Sequence, residues 1–312
     1  MAKRVQNLVA ESRYALPLTA VYAVLIWVVC GLLPQQWWVQ LACFSLSAFL
    51  MVILNNSNAL LRIYSRMVSC AFLVLSCAAC FLFDSLKGGI VELCFIASYI
   101  TLFRCYQDKQ AMGWTYYTFL CLGLASTIFV QLLFFVPFLW LLTIIQLNAM
   151  SWRTFSASIL GLLTPYWLAA GWFVWQRDAT TMWEHFTALA QFQPLGDYSQ
   201  VTLSQLLVFV VVVALAVTGM IHFWRTSYND KIRIRQLYGF FIFMTMLTAI
   251  FLVLQPQHYD VLIRLLIINT APLIGHFIAL THTKVTNIAF YAIVIICLLV
   301  TAFNVWTSSL IF

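Results

Sequence analysis

Leu203–Phe223 reads LSQLLVFVVVVALAVTGMIHF, and Trp224–Arg235 continues as WRTSYNDKIRIR. The first stretch holds no charge over 21 residues. Roughly 20 apolar residues cross the hydrocarbon core of a bilayer as a helix. The second stretch follows with Arg225, Lys231, Arg233 and Arg235. A basic cluster beside an apolar run marks the side that stays in the cytoplasm. This junction of span and basic loop decides the fold class.

The rest of the chain repeats the pattern. It is 64% hydrophobic and 8% charged, with a mean hydropathy of +0.96. Soluble domains carry about 25% charged residues. Eleven spans are predicted: 15–33, 37–54, 67–83, 89–103, 114–131, 132–150, 155–175, 203–223, 237–254, 260–280 and 287–308. Unpaired backbone groups are too costly in lipid, and these segments are twice the length of a barrel strand. The expected fold is therefore an all-α, polytopic transmembrane bundle, one membrane domain over residues 1–312. The stretch 114–150 fits two short spans or a re-entrant pair.

Charge sets the expected orientation. With residues 1–14 as a cytoplasmic tail, 13 of the 16 Lys and Arg fall in cytoplasmic gaps. Lys87 and Arg177 alone fall in outer ones, and Arg264 lies within a span. The positive-inside rule then puts the N-terminus inside and the C-terminus outside. The net charge of +7 is thus a topology signal, with a weak attraction to anionic lipid, and no nucleic-acid partner is expected. The basic start and its long apolar run read as an uncleaved signal anchor.

Candidate sites follow from polar residues in apolar surroundings. Glu92 lies one turn below the outer end of the fourth span. Asp260 and Arg264 stand at i,i+4 in the tenth, the favourable order for a helical ion pair. The outer loop 177–201 holds an expected interfacial helix over 180–192, with Met182, Trp183, Phe186, Leu189 and Ala190 toward lipid. Glu184 and His185 belong to that helix. Together Glu92, Asp260, Arg264, Glu184 and His185 make a candidate outer polar pocket; the alternative is snorkelling ion pairs and a solvated helix face. On the inner side, Asn55, Asn56, Asn58 and Arg62 form a polar loop, read either as helix caps or as an anion site.

Metal and cofactor signals are absent from the reading. Cys77-Ala-Ala-Cys80 has the spacing of a redox pair, but it lies inside an apolar span with no βαβ context. The five histidines show no i,i+4 pairing. No catalytic residue, cofactor or metal is assigned.

At Gly161-Leu-Leu-Thr-Pro-Tyr166, Asn55-Asn-Ser-Asn-Ala-Leu-Leu-Arg62 and Gly275-His-Phe-Ile-Ala-Leu280, the chain resembles a family of multi-pass inner-membrane proteins of Bacteroidota catalogued as a domain of unknown function. The resemblance implies a bacterial cytoplasmic (inner) membrane and brings no catalytic residues. Three functions stand open. The first is envelope biogenesis, acting on or moving a lipid-linked substrate. The second is transport of a small solute or ion. The third is scaffolding of a membrane-protein partner. Membrane lipid is a partner in each.

Overall fold

The computed structural model describes residues 4–176, 179–192, 198–199 and 201–309, without the side chains of 179, 181–182 and 308–309. Regular structure among these residues is entirely helical. Among the described residues, seven helices are long and apolar enough to cross a membrane, which makes this a multi-pass membrane protein. An eighth candidate is the pair α1 (Val5–Glu11) and α2 (Ala15–Val29), bent by 89° at Ser12–Tyr14. The chain divides into two compact units, residues 1–89 with 197–312, and residues 90–196.

The first unit is built around α13 (Tyr259–Leu280), whose span is 89% buried. Its sequence explains its place: from Leu262 to Ala279 nearly every position is apolar or small. The exceptions, Arg264, Asn269, Thr270 and His276, are what keep it from lipid, since polar side chains of a membrane helix turn toward protein. Against it pack α5 (Met67–Ala78), α11 (Leu203–Thr226) and α12 (Ile232–Leu254). Close approach depends on small residues. A Cβ at Gly219 of α11 would stand 2.6 Å from the Leu273 backbone, and one at Gly275 would stand 3.0 Å from the Val68 backbone nitrogen. Small residues at helix crossings are how membrane helices gain packing when lipid is as apolar as leucine.

Helix ends in this unit are closed by side chains. Thr202 and Gln205 form a reciprocal capping box at the start of α11. At the end of α13, Gln6 of α1 donates to the Ile278 carbonyl at 2.8 Å, and Asn7 donates to the Thr281 carbonyl at 3.1 Å. The last carbonyls of a helix lack intrahelical partners, so α1 supplies them. Gln6 and Asn7 are buried for that reason. The rest of the unit comprises α3 (Leu32–Gln35), α4 (Trp38–Asn58), the start of α6 (Leu86–Leu102) and α14 (Lys284–Ser309).

The expected spans at 67–83 and within 114–150 differ in the structure. Residues 67–83 form the 12-residue α5, a break at Ala79 and a 3-10 turn, Cys80–Leu82. Asn304 of α14 donates to the freed Ala78 carbonyl at 2.6 Å, so the break is satisfied by protein. In the second unit, 114–150 forms α7 (Met112–Ile128), a 3-10 segment Val130–Phe135 and the ten-residue α8 (Val136–Ile145). Phe129 is extended, and Pro137 sits in the first turn of α8. Proline there starts a helix and cannot continue the preceding one.

The second unit is held by α7 against α9 (Trp152–Gln176). A Cβ on Gly161 would lie 2.4 Å from the Tyr116 carbonyl oxygen, and one on Gly123 would lie 2.7 Å from that of Leu162. Hydroxyls flank the seam: Tyr166 donates to Ser126 at 2.9 Å, and Tyr116 and Thr164 lie 3.1 Å apart. Gly161→Leu should therefore prise these helices apart, at roughly 1–3 kcal/mol for overpacking. A thermal melt in detergent should show a lowered midpoint for Gly161→Leu and none for Gly171→Ala, whose Cβ meets nothing within 4 Å. Equal melting of both variants would refute the tight seam.

Candidate functional site

The polar loop after α4 is a constructed feature of the first unit. Ala59 takes a left-handed conformation (φ 48°) that ends α4. The Asn55 amide then donates to the Ser65 carbonyl at 2.9 Å, folding residues 59–66 back on the helix end. Asn58 donates to the Leu54 carbonyl and accepts from Arg233 of α12 at 3.1 Å. Asn56 is exposed. Asn55 and Asn58 thus work as structural connectors. Arg62 does something further.

Arg62 Nε lies 2.9 Å from Oδ1 of Asp230, in the turn between α11 and α12. Asp230 Oδ2 lies 3.2 Å from Nε2 of His276, near the end of α13. The Asp230 and His276 side chains are fully enclosed, whereas Arg62 is 34% exposed. One carboxylate therefore joins three segments far apart in sequence. Tyr238, His222 and Phe223 surround the imidazole, with ring centroids 4.8, 5.3 and 5.4 Å away. Tyr238 in turn donates to the Pro272 carbonyl at 3.4 Å. With Nε2 facing a carboxylate, that nitrogen carries the proton, and Nδ1 is enclosed without a hydrogen-bond partner. The cluster sets one carboxylate between a guanidinium and an imidazole N–H.

Sequence reading missed this cluster as a unit. In the sequence Asp230 is one acid among bases, and His276 is a lone histidine one turn past Pro272. The available signal was the scarcity of acids: Glu11, Asp108 and Asp230 are the only ones in the basic gaps.

The other candidate residues are distributed between the units. In the first, Asp260 is exposed in the first turn of α13, and Arg264 one turn on donates through Nη2 to the Leu82 carbonyl. Arg264 also lies against Gly88, where a Cβ would stand 2.8 Å from Nε. In the second, Glu92 is buried on α6. Glu184 and His185 lie on α10 (Ala179–Thr187), which is shorter than the predicted 180–192 helix and gives way to a 3-10 turn at Ala188. Trp183 and Glu184 are exposed. Phe186, expected toward lipid, instead packs on Tyr166 at 5.3 Å. His185 also faces Tyr166, at 6.0 Å. Burial holds the His185 imidazole below its ordinary range, partly offset by a hydrogen bond with the Ser126 backbone. Glu184 and His185 point apart and form no acid–base pair. The Met182 side chain, Arg177 and Pro194–Gly196 lie outside the described residues.

A second feature of the first unit is a cavity of about 270 Å³ bounded by α1, α2, α5, α11, α13 and α14. Its walls are hydrocarbon and cysteine, except for Thr19 and Tyr22. Both hydroxyls are already engaged, Thr19 with the Ala15 and Leu16 carbonyls and Tyr22 with Thr301. Nothing polar is left on the wall for a polar solute. Among the described residues no group of three His, Cys, Asp or Glu is arranged to hold a metal ion. No family model, curated protein or solved structure matches the chain.

Removing the charge of Asp230 isolates Arg62 and weakens the contact with the His276 imidazole. Losing one partner of a buried pair costs about 3–5 kcal/mol, and the exposure of Arg62 sets the low end here. Asp230→Asn is expected to lower the melting midpoint clearly, and Glu184→Gln to leave it unchanged. In an Asp230→Asn, Arg62→Gln double variant the loss should be less than additive, because the pair acts as one unit. Additive losses would show that the two side chains do not act together.

Proposed function

We propose that this chain is a multi-pass protein of a bacterial inner membrane that takes hold of a lipid-borne substrate by its hydrocarbon chain. The observation that carries the reading is the cavity among α2, α5, α13 and α14. A partly open slot of about 270 Å³ with an apolar wall does not stand empty in a bilayer. In a bilayer the available filler is an aliphatic chain, and the satisfied hydroxyls of Thr19 and Tyr22 suit no other class. Envelope chemistry on lipid-linked intermediates fits such a binding mode.

A second reading, proton-linked movement of a small solute or ion, is favoured by Asp230, His276 and His222. Ionisable chains within membrane helices serve as proton relays. Proton uptake by sealed vesicles, abolished in His276→Gln, would support it; unchanged uptake in that variant would exclude a relay here.

The orientation belongs to the same proposal: N-terminus inside, C-terminus outside, about eleven crossings. The 13-to-2 division of loop bases supports it. Phosphatase fused after Phe312 should be active and phosphatase fused after Asp230 inactive. The reverse pattern would overturn the map.

The cavity itself is tested by filling it. Ala71 lies on its wall and is 9% exposed. Purification in mild detergent followed by lipid extraction should recover stoichiometric lipid from the native protein and little from Ala71→Trp. Equal recovery from both would remove the support for a lipid-binding role.

A further inference from the structure

We propose that the cavity binds a phosphate-headed lipid, with the chain among α2, α5 and α14 and the phosphate at Arg13 and Arg66. This rests on the lipid-binding reading above and adds the head group.

The wall cannot select among lipids by hydrophobicity. A chain leaving the bilayer for an apolar cavity exchanges one hydrocarbon surrounding for another. Shape can favour a chain of suitable length, but preference for one lipid class must come from polar groups where the chain emerges. The lining shows where that is. On α2 it runs from Ala15, the first residue, to Tyr22; on α5 it runs from Met67, again the first residue, to Leu75. At 1.5 Å per residue the slot is about 12 Å long, and it begins where both helices begin. On α13 it includes Ile278, in the last turn, consistent with the same end.

Two arginines stand at that end. Arg66 immediately precedes Met67 and stands one helical turn before Cys70, a wall residue. One of its terminal nitrogens donates to the Tyr64 hydroxyl at 2.9 Å, which fixes the guanidinium while leaving donors over. Its Nε is enclosed without a hydrogen-bond partner. Arg13 is exposed in the α1–α2 bend, two residues before Ala15. The exposed Glu11 shares that bend and takes away part of the positive charge. A phosphate suits what remains: it is anionic, and guanidinium donors match its oxygens in pairs. Arg62 is not available in the same way, since its Nε is committed to Asp230.

The test is native mass spectrometry of the full chain in a nonionic detergent, with phosphatidic acid, diacylglycerol of the same chains, and glycerol 3-phosphate as probes. The native protein should retain phosphatidic acid at least tenfold over diacylglycerol and hold no glycerol 3-phosphate. An Arg13→Gln, Arg66→Gln variant should bring that preference to within twofold while still binding diacylglycerol. Arg13→Gln alone, at an exposed bend residue, should reduce it at least threefold, and serves where the double variant does not fold. Ala71→Trp should lose both lipids. Equal retention of the two lipids by the native protein, or an unchanged preference in both arginine variants, would overturn the phosphate assignment and leave the chain cavity standing. Retention of both lipids by Ala71→Trp would overturn the cavity reading itself. Tight glycerol 3-phosphate binding that survives Ala71→Trp would make the ligand a soluble phosphate and overturn the lipid.

Discussion

Arg264, Asn269 and His276 make α13 a helix that cannot face lipid on every side, and its enclosure sets the demands on the first unit. Enclosure removes water from its last carbonyls, so Gln6 and Asn7 must come to them. That requirement accounts for a short α1 bent across the end of the unit with two buried amides on it. Enclosure also strands His276. An imidazole in such a place needs a partner, and Asp230 supplies one from the α11–α12 turn. A buried carboxylate needs a second partner in its turn, and Arg62 supplies it from the loop after α4. Three connections are therefore positioned by the burial of one helix.

Much of this was legible in the sequence, and the parts that were not have physical reasons. The helical membrane class follows from 64% apolar content with charges confined to gaps. Long, evenly apolar stretches such as Leu203–Phe223 appear as continuous helices. Stretches whose ends are satisfied by tertiary contacts do not. Nothing in residues 67–83 says that Asn304, over 200 positions later, will accommodate a break at Ala78. Within 114–150 the break falls just before Pro137, since proline cannot extend a helix backward. The side of α10 that faces the unit was misread because Phe186 and Trp183 are equally apolar. Only the presence of Tyr166 nearby separates them.

The site was less legible than the fold. Asn55, Asn58 and Arg62 were identifiable as polar residues at a span end, but their partners Ser65, Arg233 and Asp230 come from three different distances along the chain. The cavity left even less trace. Ala15, Thr19, Cys70, Ala71 and Cys297 are ordinary packing residues in any membrane helix. Their smallness marks a void only when several converge on one place, and convergence is a property of the fold.

The two features lie on different faces of α13. Ile274 and Ile278, one turn apart, reach the cavity, whereas His276, midway between them, points toward Asp230. At 100° per residue, positions two apart lie nearly opposite one another, so the last turns of α13 separate a dry slot from an ionised cluster. The backbone that sets Ile274 and Ile278 against the slot also holds His276 against Asp230, and Gly275 fixes its distance from α5 at Val68.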